Sequence, residues 1–320
     1  MRNPIFQKTC VVIVLTLCSL TTPAQFRVIG YVQPWGEAPD TNKIAFDKLT
    51  HLNIAFVNPD SLGNLVLPSG FDSLISKAHF FRIKVLASIG GGSHNVYYTH
   101  LLMDANRAAL VRKLVQLSVD HNLDGIDVDL EGEAIDNNYD ELIADLSAGL
   151  KPLGKLLTAA FATWNANNIS NAALKKFDFI NIMSYDQTGP WRPKEPGPHS
   201  TYIKAEEDLN YWTGIRGFSR KKINLGIPFY GYCFGTKYGE SMSYEQIVEN
   251  FPGSEQQDVV VPETGGIIYY NGMPTIKSKT ILAQKKAGGV MIWQLLQDSQ
   301  GSNSLLNVVH ETIKGTTVVH

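Results

Sequence analysis

Four acids stand close together near the middle of the chain, in the run Asp124-Gly125-Ile126-Asp127-Val128-Asp129-Leu130-Glu131. Strand side chains alternate between faces, so Asp127, Asp129 and Glu131 share one face when this run is extended. Neighbours in that row lie about 6.6 Å apart along the strand, close enough that a partly desolvated cleft resists ionising all three. One proton is then shared and at least one pKa raised, which suits a general acid working near neutral pH. Asp124 is three residues from Asp127, and alternation keeps it off that face. The same spacing also admits a divalent cation between alternating carboxylates, or a polar rim. Against a rim stands the cost of placing three carboxylates on a buried strand. Against a metal stands the shortage of further ligands, because Asp136 and Asp140 belong to the next helical segment.

The elements that must position these acids follow a repeat. Apolar segments of strand length, rich in β-branched residues, recur at 27–32, 49–57, 83–89, 125–130, 156–161, 177–183, 223–228 and 289–293. Nearly continuous apolar strands are expected where helices cover both faces of a parallel sheet. Helical periodicity lies between several of them. Segment 104–121 carries Val111, Leu114, Val115 and Ser118 on one face, and 136–150 carries Tyr139, Leu142, Ile143, Leu146 and Leu150. Eight strand-and-helix repeats in about 290 residues fit a closed barrel better than an open doubly wound sheet. The expected fold is α/β, a single-domain (β/α)8 TIM barrel over residues 25–320. Chemistry in such barrels sits at the C-terminal ends of the strands, where the acid row lies.

Composition narrows the partners. Apolar residues make up 44% and charged residues 18%, a globular balance rather than a disordered one. With a net charge of −2 and no basic run longer than Lys221-Lys222 or Lys285-Lys286, nucleic acid and anionic membrane are disfavoured. Residues 1–24 read as a secretory signal peptide: Arg2 and Lys8 precede the apolar run 10–20, and small Thr22 and Ala24 follow it. That run is too short to span a membrane. The expected location is secreted or periplasmic, with a lipid anchor at Cys18 as the alternative that bulky Leu17 disfavours. Cleavage near Ala24 leaves Cys233 as the remaining cysteine, so no internal disulfide forms and the fold rests on core packing.

The pattern Asp124-x-x-Asp127-x-Asp129-x-Glu131 resembles the acidic signature of family 18 glycoside hydrolases, which include bacterial chitinases and endo-β-N-acetylglucosaminidases. Other segments agree in order: Gly30-Tyr31 with Trp35, Ser88-Ile89-Gly90-Gly91, Met183-Ser184-Tyr185-Asp186, Gly226-Ile227-Pro228-Phe229-Tyr230-Gly231, and Gly289-Val290-Met291-Ile292-Trp293. Strand spacing alone does not separate a carboxylate nucleophile from an activated water, and the family is among the substrate-assisted exceptions to both. The resemblance therefore implies that the substrate's own acetamido oxygen attacks. Glu131 would protonate the leaving oxygen and later activate water. Asp129 would turn toward the acetamido group, and Asp127, deeper in the barrel, would hold a proton shared with it.

Tyr185 would position the acetamido oxygen as a further catalytic residue. Tyr31, Trp35, Asp186, Trp191 and Trp293 are expected to bind substrate, with Trp293 as the aromatic floor under the reacting sugar. For Trp35 and Trp191, loop packing is an equal reading. Trp164 is placed similarly to them, and Trp212 reads as core. Asp124, Ser88, Gly90, Gly91 and Met183 are expected as structural residues near the site, with Ser88 to Gly92 forming a close-approach turn beneath the acids. Neither cofactor nor metal is expected. The substrate would be a polysaccharide or glycan containing N-acetylglucosamine, cleaved by a monomer: chitin, or the chitobiose core of N-glycans, with a sugar-binding lectin as the non-catalytic alternative. Only residues 233–286 separate the last two strands, too few for the full α+β insertion of longer chitinases. Helices at 244–249 and 280–286 are expected there, with a shallow, open cleft and endo-type cleavage.

Overall fold

The computed structural model describes residues 25–33, 39–92 and 97–316. Segment 1–24, expected as a signal peptide, and Trp35 lie outside the described residues. The chain makes twelve strands among these: β1 (Arg27–Val32), β2 (His51–Ala55), β3 (Lys84–Gly90), β4 (Gly125–Asp129), β5 (Leu156–Phe161), β6 (Phe179–Ile182), β7 (Ile223–Pro228), β8 (Tyr230–Phe234), β9 (Ser241–Ser243), β10 (Val259–Val260), β11 (Ile267–Tyr269) and β12 (Gly289–Trp293). Eight of them close into a parallel barrel in the order β1-β12-β7-β6-β5-β4-β3-β2. The expected (β/α)8 barrel is therefore the fold, and four of the eight strands have the expected bounds. β2 and β6 are shorter than the apolar runs 49–57 and 177–183. Leu49 closes the short helical turn Phe46–Lys48 instead of extending the strand.

The covering helices are α1 (Phe71–Phe80), α2 (Tyr97–Leu101), α3 (Asp104–Asp120), α4 (Tyr139–Leu150), α5 (Asn171–Leu174), α6 (Tyr202–Asn210), α7 (Tyr244–Asn250), α8 (Met273–Lys286) and α9 (Leu305–Thr316). Helix α4 starts three residues later than the periodicity from 136 implies. Asp136 explains this: its carboxylate accepts from the Asn138 backbone and side chain and holds a turn ahead of the helix.

Alternation sorts each barrel strand into two cores. On β4, Ile126 and Val128 pack outward with Leu142, Ile143 and Leu146 of α4 in the main core. A smaller apolar cluster of Ile29, Tyr31, Ala55, Phe179 and Met291 fills the barrel axis, and Trp293, Tyr185 and Met183 pack on it. Inward positions of the other residues are polar: Asn53, Ser88, Asp127, Thr158, Asn181 and Asn224 are all buried. Burying that many polar groups is tolerable only if they satisfy one another, which they largely do.

Between β7 and β12 the chain builds a small antiparallel sheet, β10-β11-β8-β9, with α7 across it. Helices are present near both expected places, but the sheet goes beyond the sequence expectation. Its strands have two to five residues each, too short for a period-two pattern to stand out. Because β8 starts two residues after β7 ends, this sheet grows directly from the barrel rim and carries Tyr230 and Tyr232 to the mouth.

Candidate active site

Register places the acids before any side-chain geometry is considered. Asp127 pairs with Ser88 on β3 and with Thr158 on β5, so two hydroxyls flank it in one layer. Both donate to it: Ser88 Oγ to Oδ2 at 2.8 Å and Thr158 Oγ1 to Oδ1 at 2.5 Å. Tyr31, inward on β1, donates its hydroxyl to Oδ2 at 2.7 Å. The expectation that Tyr31 binds substrate is corrected here: its ring is fully buried and its hydroxyl is committed to Asp127, so it positions the acid.

One layer higher, Asp129 is buried and receives no such donors among the described residues, where its Oδ1 has no hydrogen-bond partner. Burial raises the pKa of both aspartates. The three hydroxyls offset that rise at Asp127, whereas Glu131 and Asp127 drive Asp129 further up. The shared proton therefore belongs on Asp129. Glu131 follows the strand, and burial with the nearby Asp186 charge pushes its carboxyl up to about 7. In order toward solvent, the row is thus a buried aspartate held by three hydroxyls, a buried aspartate without them and a partly buried glutamate.

Close approach beneath the row requires glycine. Gly90 has φ +106°, and a Cβ there would lie 2.2 Å from the Asp129 carbonyl oxygen. Asn58 clamps this glycine on both sides, accepting from its N–H at 2.7 Å and donating to its carbonyl at 2.8 Å. At Gly91 a Cβ would meet the Phe56 ring at 2.3 Å. Gly90→Ala should therefore destabilise the fold by about 3 kcal/mol, strained backbone and overlap together. Urea unfolding checks this; a midpoint within error of wild type would mean the turn relaxes freely.

Across the mouth, Tyr185 and Asp186 follow β6. The Tyr185 ring is wedged against the inner cluster with its hydroxyl 3.8 Å from Met291 Sδ. Burial and the neighbouring Asp129, Asp186 and Glu131 charges keep that phenol protonated, a ready donor. Asp186 sits in the left-handed region at φ +61°, which aspartate tolerates better than most residues. Tyr230 donates its hydroxyl to Asp186 Oδ1, and buried His199 holds Nδ1 3.4 Å from the same oxygen. Trp293 ends β12 between Phe56, stacked at 5.5 Å, and Tyr31, tilted at 5.5 Å. Its ring packs on the inner apolar cluster beside Tyr31, the donor to Asp127.

A cleft of about 600 Å³ opens beside Tyr185 and Asp186, and Met183, Trp164, Trp191 and Arg192 line it. Trp191 is 57% exposed and braced edge-on by Tyr232 at 5.3 Å; Trp164 is 73% exposed. Trp212 is core, as expected. Asp124 is not near the site. It precedes β4 at the opposite end of the barrel, where its carboxylate accepts from the Val85 N–H and pairs with His79. Seven residues of extended chain, about 23 Å, separate it from Glu131. Among the described residues no group of three or more acids, histidines or cysteines is arranged to hold a metal ion, and no helix is long and apolar enough to cross a membrane.

Several residues of the site are not evident from sequence: Thr158, Phe56, Asn58, His199, Tyr230 and Tyr232. Thr158 has a signal, a lone hydroxyl within the apolar strand Leu156–Phe161. Tyr230 stands in the segment 226–231 that carries the resemblance, though without a role there; His199 and Tyr232 have no signal, because only the folded chain brings 186, 199 and 230 together.

The sequence profile of the family described as Glycosyl hydrolases family 18 matches residues 27–298. The structure is similar to the chitinase ChiB from the chitin utilization locus of Flavobacterium johnsoniae, with a TM-score of 0.84 and 37% identity over 92% of this chain and 96% of that one. A chitinase from Bacteroides thetaiotaomicron is similar at a TM-score of 0.79 and 28% identity, covering 92% of this chain and 99% of that one. A chitinase-like effector of Moniliophthora roreri is 28% identical over 71% of this chain, which spans 64% of the effector's length. With a profile match running from the first barrel strand past the last, the chain belongs to family 18 of the glycosyl hydrolases.

Proposed function

We propose that the protein is an exported chitinase that cleaves β-1,4 bonds beside N-acetylglucosamine with retention of configuration, through substrate assistance. The observation that carries this reading is Asp129: a carboxyl group buried between Asp127 and Glu131 with an oxygen that no donor among the described residues satisfies. A buried unsatisfied acceptor is costly, and a substrate acetamido N–H is the donor that fits it. Chemistry then proceeds from the row. Glu131, neutral below its raised pKa, gives its proton to the glycosidic oxygen while the acetamido carbonyl oxygen closes on the anomeric carbon. Asp129 holds the acetamido nitrogen and faces the positive charge of the oxazolinium ion that forms. Glu131, now ionised, takes a proton from water as that water opens the ring from the same face. Tyr185 donates to the acetamido oxygen and keeps it in line, which preserves its effective concentration. Trp293 offers an apolar face to the sugar, and Trp191 and Trp164 extend that surface along the cleft. Near-neutral charge suits an uncharged polymer, and residues 1–24 support export.

Chitotetraose and a high-mannose glycoprotein offered side by side, with products read by mass and by early anomeric NMR, test the reading. Shortened chito-oligosaccharides with the β anomer formed first are the expected result. Cleavage confined to the glycoprotein would move the substrate to N-glycans, and an inverted first product would remove substrate assistance.

A further inference from the structure

Asp127 is not the last polar group on the barrel axis. Its partner Tyr31 accepts at Oη from Asn181 Nδ2 at 3.1 Å. Asn181 Oδ1 accepts from Asn224 Nδ2 at 2.9 Å, and Asn224 Oδ1 accepts from Arg27 Nε at 2.8 Å. Arg27 begins β1, at the end of the barrel opposite the acids. Both asparagines are fully buried.

The sense of every link is forced. A guanidinium has donors and no acceptor, so Asn224 must present its oxygen to Arg27. Its amide N–H then donates to the oxygen of Asn181, whose own N–H donates to Tyr31. The one proton of Tyr31 is left for Asp127. Four hydrogen bonds thus run head to tail from a cation to a carboxylate through a low-dielectric interior, where bonds in series polarise one another. Gly289 on β12 keeps room for this line, since a Cβ there would lie 2.5 Å from Asn224 Oδ1.

We propose that Arg27, Asn224 and Asn181 are positioning residues for the reaction, an oriented chain that holds Asp127 as the anion and leaves the shared proton on Asp129. This rests on the reading of Asp129 as the residue that turns to the acetamido group. When Asp129 turns away with the proton, Asp127 is left as a bare charge inside the barrel, and the chain is what compensates it. No other group on this path titrates in the working range. Around Asp127 stand Tyr31, Asn53, Ser88, Asp129 and Thr158, with the Tyr139 phenol of α4 behind them. Around Arg27 stand Phe179, whose ring lies 4.7 Å from the guanidinium, the Lys221 carbonyl, Asn224 and His51. Burial, together with the charges of Arg27 and Lys84, pushes His51 down to about 3, so it stays neutral. Arg27 itself is lowered by burial to about 10 and stays charged.

The test is a carbon-13 carboxyl NMR titration of aspartate-labelled protein, read beside the acidic limb of kcat on chitotetraose. Arg27→Met and Asn181→Leu each cut the chain at a different link. Each should raise the apparent pKa of the Asp127–Asp129 pair by about half a unit and move the acidic limb up equally, with KM unchanged. The double variant should shift no further than either single, because a cut chain cannot be cut again. Arg27→Lys, which keeps a cationic donor, should restore most of the wild-type titration. Unshifted titrations in the folded variants, or shifts that add, would overturn the proposal; should Arg27→Met fail to fold, Asn181→Leu decides alone. The NMR arm needs no turnover, so a wild type inactive on chitotetraose would sink the functional reading, and the titration would still decide whether the chain holds Asp127 as the anion.

Discussion

Glu131→Gln should lower kcat on chito-oligosaccharides by about three orders of magnitude while leaving their binding nearly intact. Glutamine keeps the shape and the partly buried position at the end of the row but has no proton to give the glycosidic oxygen. The pH profile of the wild type follows from the same group. Its carboxyl titrates at about 7, raised by burial and by Asp186, and only the neutral form can act as the acid. Turnover should therefore fall as pH rises through 7. Stability should move in the same sense. A carboxyl whose folded pKa lies above its unfolded value is held neutral by the fold, so its ionisation costs folding free energy that grows between about pH 4.5 and 7. Removing the ionisable group removes that cost. The Gln variant should match the wild type in melting temperature at pH 4 and exceed it above pH 7. Calorimetry at the two pH values, beside kcat and KM, checks both halves. A Gln variant that still turns over would place the acid elsewhere, and a lower melting temperature at pH 8 would show the Glu131 anion to be favourably held.

Much of this site is legible because two periods are short and local. Strands such as β1, β5, β7 and β12 read off the sequence to the residue, since burial on both faces makes them continuous apolar runs. The acid row is legible for the complementary reason: three carboxylates at every second position in such a strand have no structural excuse. Relations between strands are not legible. That Ser88 and Thr158 flank Asp127 depends on barrel register, and register is set by the whole closed sheet. Asn181 and Asn224 leave a faint mark as single amides in otherwise apolar strands, and Asn53 a fainter one in a strand that opens with His51. Asp124 misleads because it is near Glu131 in sequence, whereas a strand carries the two to opposite ends of the barrel. Tyr31 misleads because tyrosine suits a sugar as well as an acid, and only burial tells them apart.

Asp129→Asn should lower kcat by about two orders of magnitude with little change in KM, a smaller loss than at Glu131 but in the same step. Asparagine is nearly isosteric and offers an amide oxygen to the acetamido N–H, so the substrate still binds and its nucleophile stays close. What disappears is the carboxyl proton that Asp129 shares with Glu131, and with it the negative charge that Asp129 takes up toward the oxazolinium ion as that proton is drawn to the ionised Glu131. Electrostatic stabilisation of that kind counts only where charge develops, which is why the loss should appear in kcat. The identity of the nucleophile can be read from the substrate at the same time. Fluorination of the N-acetyl methyl withdraws electrons from the carbonyl oxygen, so wild-type kcat should fall with each fluorine if that oxygen attacks the anomeric carbon. In Asp129→Asn the fall should be steeper, because the cation is less well compensated and depends more on the donating power of the acetamide. A wild type insensitive to fluorination would give the attack to water or to a protein carboxylate. An Asp129→Asn variant weakened only in KM would make Asp129 a binding group rather than a partner of the cation.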